Sequence, residues 1–354
     1  MKHLRKQIAG YLLTLILLMA GIVFPGSGEK VLASGGSMTV HFLDVGQGLS
    51  ILVQSEGQNL LYDGGPRSAS SYVVSYLQEQ NVSEIDYLIS SHYDEDHVSG
   101  LIGCLNAFQV DNVIGADYIH DSSLYGSFMD AVAAHGLEVQ HPAVGAEYTF
   151  GSGEFTILSP KEISKESNAN SVAIKLTNGE NSFVFTGDAD FNCEADMVNS
   201  GLDLSCDVLS VGHHGSATST SWDFLQAAVP EFAVISCGAG NMYGHPHADT
   251  MEKLSDMGIQ VYRSDEQGTI VASSDEVLLP GVQILAMIIL QVMEKQLGKV
   301  KGRRDLQLKI IAELMQLQHQ KSQNRLLQQM TVRRKWYGYL LQEVNITVFL
   351  TVEI

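Results

Sequence analysis

Positive charge is scarce in this chain, with 21 Lys and Arg against 40 Asp and Glu and a formal net charge of −19. The shortage is uneven. Residues 34–280 hold 6 basic and 34 acidic residues, whereas residues 281–354 hold 11 basic and 5 acidic ones. An acidic domain repels polyanions, so broad electrostatic capture of long nucleic acid is disfavoured unless bound divalent cations reverse the sign locally. Cysteine is sparse as well. Cys104, Cys193, Cys206 and Cys237 lie far apart, with no pair at a zinc-ribbon spacing, which argues against a thiolate metal site. Four cysteines permit three disulfide pairings between which sequence does not choose, and buried free thiols are the default expectation. Beyond residue 40 no apolar run is long enough for repeated membrane crossing, which excludes a translocating channel.

The first 33 residues differ from the rest. Lys2, Arg5 and Lys6 precede an apolar run from Ile8 to Phe24, and the segment ends Val31-Leu32-Ala33. This predicts a secretory signal peptide cleaved after Ala33, and hence an extracellular or cell-surface location. No cysteine stands near the junction, which argues against a lipoprotein anchor. An uncleaved membrane anchor is the alternative, since the run is nearly long enough to span a bilayer.

Residues 34–280 read as one domain. Met38 to Leu43, Leu49 to Gln54 and Asn59 to Tyr62 predict three short strands split by glycine-containing turns. Val73, Val74 and Leu77 give a helix over 69–80 one apolar face. Strands at 110–114, 233–236 and 259–262 then alternate with helices at 98–108, 123–135, 221–228 and 248–257. Such alternation predicts sheets covered by helices, an α/β class.

Chemistry gathers where apolar runs end. Ile85 to Ser90 leads into Ser91-His92-Tyr93-Asp94-Glu95-Asp96-His97, which predicts a strand-to-helix loop carrying His92, Asp94, Asp96 and His97. Imidazole with carboxylate suits Zn²⁺, Mn²⁺ or Fe²⁺, and two Asp lean toward the harder ions. Phe183 to Thr186 runs into Gly187-Asp188, Val208 to Val211 into Gly212-His213-His214-Gly215-Ser216, and Ala233 to Ser236 into a loop ending Gly244-His245-Pro246-His247. A glycine after each strand lets the next side chain fold back over the sheet edge. Four such loops in order argue against a merely solvated acidic surface.

These motifs, together with Phe42 to Gly48, Tyr62-Asp63-Gly64-Gly65, Asn170-Ser171-Val172 and Asn241-Met242-Tyr243, resemble the metallo-β-lactamase superfamily. Within it the chain is similar to the metallo-hydrolase domain of the ComEC competence proteins and their secreted stand-alone relatives. The resemblance covers roughly residues 38–275. It departs at Leu49, where the family usually has an acidic residue, and at Ser99-Gly100, where it usually has Gly-Gly. It implies a four-layer αββα sandwich with two divalent ions, Zn²⁺ or Mn²⁺, in a cleft at one edge of the sheets.

The same resemblance, with the loop order, assigns roles. His92 and Asp94 are expected on one ion, Asp96 and His97 on the other, and Asp188 between them. His245 is the expected late ligand, with His247 as its neighbouring alternative. Asp96, together with His213, His214 and Ser216 as hydrogen-bond donors or, for one His, general acid toward substrate, forms the expected catalytic set. Asp63 and Asp44 are expected to orient metal-bound imidazoles, Asp44 having a purely structural turn role as its equal alternative. Superfamily members commonly carry a further His where Asn170 stands here, which favours Mn²⁺ or a weakly held first ion. Gly281 to Ile354 lacks the glycine punctuation and hydrophobic repeat of the domain. It reads either as a frameshift product, the favoured expectation, or as a basic tail with a weakly amphipathic helix over 292–330.

The favoured activity is hydrolysis of a phosphodiester or nucleic-acid substrate, with no obligate protein partner evident. A lactonase, thioesterase or β-lactamase on the same fold is the second reading, and a non-enzymatic surface binding module the third.

Overall fold

A computed structural model describes residues 36–274. The expected signal segment and the basic tail lie outside these residues. In chain order the elements are β1 (Met38–Phe42), β2 (Ile51–Ser55), β3 (Gln58–Tyr62), α1 (Ser70–Glu79), β4 (Glu84–Ile89), α2 (Glu95–Ala107), β5 (Gln109–Ile114), α3 (Ser123–Ala134) and β6 (Val139–Gln140). There follow β7 (Glu147–Phe150), β8 (Gly153–Ile157), β9 (Ile174–Asn178), β10 (Asn181–Phe185), α4 (Phe191–Asn199), β11 (Val208–Ser210), α5 (Trp222–Ala228), β12 (Phe232–Ile235), α6 (Ala248–Asp256), β13 (Gln260–Arg263), α7 (Ser264–Gln267) and β14 (Ile270–Ser274).

The strands make two seven-stranded sheets, β14-β1-β2-β3-β4-β5-β6 and β13-β12-β11-β10-β9-β8-β7. Strand alternation assigns each side chain to a layer. Val40, Phe42, Ile51, Val53, Leu60, Tyr62 and Ile89 point inward and meet Phe155, Ile174, Leu176, Phe183 and Phe185 of the second sheet. Their neighbours Leu52, Leu61 and Leu88 point outward onto Val73 and Leu77 of α1 and Val98 and Leu101 of α2. On the far side Val184, Leu209 and Ile235 meet Met197 of α4, Phe224 and Leu225 of α5 and Leu254 of α6. The result is the four-layer αββα sandwich. Phe185 packs against Phe42 and Tyr62 at ring separations of 6.0 and 5.5 Å, and the Tyr62 hydroxyl donates to the Val172 carbonyl at 2.7 Å.

Differences from the sequence reading have local causes. Helix α2 starts at Glu95, three residues before the expected Val98, so Asp96 and His97 stand in its first turn and not on a loop. Glu95 and Asp96 suit a helix N-terminus because carboxylates complement its dipole. Strands β6 to β9 and β14 escaped the sequence reading. They are short or interrupted by polar residues, and β14 is fixed chiefly by pairing with β1 at the sheet edge. Cys104, on α2, is buried in the layer of α1 and α2, and Cys193 and Cys237 in the opposite layer; burial pushes all three thiols up to about 12.

Close packing explains one departure from the family pattern. A Cβ at Gly100 would lie 1.7 Å from the Gly64 carbonyl oxygen, and one at Gly64 would lie 2.2 Å from the Leu101 nitrogen. Gly100 is therefore indispensable, whereas its neighbour Ser99 fits with its hydroxyl toward Glu95 at 3.4 Å. Gly100→Ala is expected to destabilise by about 3 kcal/mol or more, because two backbones must separate. Gly126→Ala, in exposed α3 with open space around it, should stabilise by roughly 0.5–1 kcal/mol. Thermal melts of the two variants check both signs.

Candidate metal centre

The parallel strands β4, β10, β11 and β12 all end at one edge between the sheets, and the loops that follow them carry the ligand-type residues. Backbone in the left-handed region aims them. Asp63 has φ 57°, Gly187 has φ 54°, and His213 and His214 have φ 50° and 56°. Such conformations cost on the order of 1–3 kcal/mol in residues other than glycine and persist where surrounding contacts enforce them. Here the His213 N–H donates to Gly187 O at 3.0 Å and the Ser216 N–H to His213 O at 2.8 Å. A Cβ at Gly187 would sit 2.6 Å from that of Ser91, so this turn also needs glycine for space.

Three imidazoles are oriented through their Nδ1 atoms. The Asp63 carboxylate accepts from the Ser91 N–H and hydroxyl, both at 2.7 Å, and from His97 Nδ1 at 2.8 Å. Because the Ser91 hydroxyl proton is committed to Asp63, its oxygen accepts from His92 Nδ1 at 2.9 Å. His214 Nδ1 donates to Ser236 O at 2.9 Å. All three rings are thereby left with Nε2 lone pairs. Those three Nε2 atoms, together with Asp188 Oδ1, are buried without a hydrogen-bond partner.

The orphaned atoms converge. His97 Nε2 lies 3.2 Å from Asp188 Oδ1, and His214 Nε2 lies 3.7 Å from Asp188 Oδ2 and 3.3 Å from Asp96 Oδ2. His92, His97 and Asp188 form one group able to hold a metal ion, and Asp96, His97 and His214 another. Burial pushes the Asp188 carboxyl up, but the imidazoles of His97 and His214 outweigh it and hold the group well below its usual range. Burial likewise lowers His97, and the carboxylates of Asp188, Asp63 and Asp96 outweigh it and raise the ring well above its ordinary value. The carboxylates thus call for positive charge at the centre, and Nε2 lone pairs without partners are what divalent ions fit.

Above this floor opens a cleft of about 160 Å³ whose walls include Gln47, Asp94, Asn168, His213, Tyr243 and His245. Asp94 is the N-cap residue of α2 but makes no side-chain cap; its carboxylate instead accepts from the Ser167 hydroxyl at 2.6 Å. Burial pushes this carboxyl up, and hydrogen bonding to His92 and Ser167 brings it down to about 2. His213 Nδ1 lies 3.1 Å from the Thr218 hydroxyl, and burial lowers its pKa. Burial, with the charges of His214 and His213, lowers His245 to about 4.

The structure brings His92, Asp94, Asp96, His97, Asp188, His213, His214 and His245 together, with Asp63 behind them. Four expected residues stand elsewhere. His247 accepts from the Ala217 N–H through Nδ1 and donates from Nε2 to Tyr243 O, so neither nitrogen is open to a metal. Ser216 binds the Thr218 N–H and hydroxyl and closes its own turn. Asn170 is saturated by the backbone of Ser164, and Asp44 accepts from the Gly46 N–H in an exposed turn. His214, and not His245, stands with Asp96 and His97 in a group able to hold a metal ion, while His245 stands at the rim with its ring 6.1 Å from that of His214. Sequence reasoning missed Ser91, Gln47, Asn168 and Tyr243. Ser91 and Gln47 sit inside motifs already singled out, and Asn168 is two residues from the chosen Asn170.

Residues 43–239 match the model of the metallo-beta-lactamase superfamily, and the chain belongs to that superfamily. Its relatives include competence proteins. ComE operon protein 3 of Bacillus subtilis is 28% identical over 73% of this chain and 38% of its own length. Competence protein ComA of Neisseria gonorrhoeae is 33% identical over 72% and 34%, and Recombination protein 2 of Haemophilus influenzae 34% identical over 61% and 26%. The chain therefore spans between a quarter and two fifths of the length of these relatives. Among solved structures, the metallo-beta-lactamase fold protein YhfI from Bacillus subtilis is similar over 67% of this chain and 100% of its own, at 16% identity and a TM-score of 0.47.

Metal analysis of purified variants tests the assignment of side chains. Asp188→Ala should lose both ions and His214→Ala at least one, while Ser216→Ala and His247→Ala keep the wild-type content. Retention of metal by His214→Ala with loss in His245→Ala would restore the order expected from sequence.

Proposed function

We propose that this protein is an exported, metal-dependent phosphodiesterase acting on nucleic acid, with two Zn²⁺ or Mn²⁺ ions held by His92, Asp94, Asp96, His97, Asp188 and His214. The observation that carries this reading is the set of four buried polar atoms left without partners around Asp188. Bound there, two divalent ions supply Lewis acidity for a phosphoryl group and lower the pKa of water to near neutrality. The protein's own side chains do the rest. Asp63, Ser91 and Ser236 O fix the three ring orientations, so the centre needs no rearrangement on loading. His213, kept neutral by burial and steadied by Thr218, is a hydrogen-bond donor at the cleft wall. Asn168, whose amide lies 3.3 Å from His213 Nε2, lines the same wall.

Two considerations favour a phosphate ester over a neutral ring substrate. The walls offer neutral donors over an acidic floor, which suits an anion once cations are in place. The competence relatives, by their names, also direct the reading to nucleic acid. Export through residues 1–33 belongs to the same proposal and agrees with it, since an extracellular hydrolase meets nucleic acid before uptake.

A substrate screen with Mn²⁺, Zn²⁺ and Mg²⁺ checks the class. Bis-p-nitrophenyl phosphate and single-stranded DNA should be hydrolysed, and chelation should abolish turnover. Hydrolysis of a lactone or a cephalosporin alone would contradict the reading. His213→Ala should keep both ions while lowering turnover by roughly 10²–10³-fold, the usual loss for one donor aimed at developing negative charge.

A further inference from the structure

The loop after β12 carries a feature that ion binding leaves unexplained. The ring of His214 is near-parallel to that of His245, at 28° and 6.1 Å, and His245 is near-parallel to Tyr243, at 22° and 5.6 Å. Three rings thus step outward from the ion floor to the solvent. The first is buried, and the last is 59% exposed on the cleft wall beside Met242, itself 90% exposed.

The loop that presents them is braced. Asn241 donates to Gly238 O at 2.9 Å and to His245 O at 2.7 Å, and its own oxygen accepts from the N–H groups of Tyr243 and His245. Gln47 accepts from the Gly238 N–H at 3.1 Å and approaches His245 Nδ1 at 3.4 Å. His247 ties back to Tyr243 O at 3.1 Å. An exposed tyrosine on so constrained a backbone is set in place before any ligand arrives, which lowers the ordering cost of binding.

Among the described residues the cleft walls contain no Lys or Arg. From these walls a nucleic-acid strand finds no side-chain cation for its successive phosphates, so contact there comes from the reacting phosphate and from groups beside it. We infer that the Tyr243 ring, stacked on His245, is a platform for the unpaired base next to the scissile phosphate. This rests on the phosphodiesterase reading and narrows its substrate to single-stranded or frayed nucleic acid, because in a duplex both faces of a base are covered by its neighbours. Base-on-aromatic stacking needs no particular sequence, since every base offers a π-face.

The test compares an oligothymidylate with an oligomer of equal length in which every base is absent, using the full chain loaded with Mn²⁺. The wild type should prefer the base-bearing strand in kcat/KM by roughly 5- to 150-fold, the range for one stacked base. Tyr243→Ala should bring that ratio close to one, with the loss falling on KM, while Tyr243→Phe and Tyr243→Trp preserve it. An equal rate on both strands in the wild type, or an unchanged ratio in Tyr243→Ala, overturns the platform and leaves the phosphodiesterase intact. Hydrolysis of neither strand overturns the phosphodiesterase reading itself.

Discussion

Three imidazole nitrogens and a carboxylate oxygen, buried side by side without a well-formed hydrogen bond, are the constraint on which the rest of the molecule turns. Each such group costs on the order of 1–3 kcal/mol when left unsatisfied. A fold that merely sought stability would replace them with apolar side chains. Instead the surrounding residues keep the arrangement in place, since Asp63, Ser91 and the Ser236 carbonyl occupy every Nδ1 and leave every Nε2 facing Asp188. Divalent cations bound there would resolve the conflict by accepting the lone pairs and neutralising the carboxylates together.

The sandwich supplies the rigidity this requires. Parallel strands β4, β10, β11 and β12 deliver four loops to one edge, and the inter-sheet core of Phe42, Tyr62, Phe155 and Phe185 fixes that edge from behind. Where close approach is needed, glycine is used, as at Gly64, Gly100 and Gly187. Where a side chain of the centre must stand in left-handed backbone, as at Asp63, which orients the imidazoles, and at His214, the strain is borne by non-glycine residues because the side chain is indispensable. Asp94 shows the same priority. Its carboxylate forgoes capping α2, a contribution of about 1 kcal/mol at a typical N-cap, and turns to Ser167 in the cleft.

Much of this was legible in the sequence. Period-two strands, amphipathic helices and glycine-terminated apolar runs pointed to sheets covered by helices, the family resemblance to four layers, and the density of His and Asp between 92 and 97 to the centre. The differences share a physical origin. Residue order does not disclose backbone handedness, and two consecutive left-handed residues at His213 and His214 turn the second ring into the centre where a late ligand was expected from His245. Nor does residue type disclose prior commitments. His247, Asn170 and Ser216 have ligand or donor chemistry, but neighbouring groups already use it. Edge strands such as β14 were invisible because their existence depends on a partner more than 200 residues away in sequence.

The account stands on two ions at this particular centre, and anomalous diffraction from crystals grown with Mn²⁺ would locate them without reference to activity. The expected map has two peaks about 3.5–4 Å apart, flanking Asp188, one beside His92 and the other beside His214. Peaks absent from that position, or a single peak among His245, His247 and Tyr243, would contradict it.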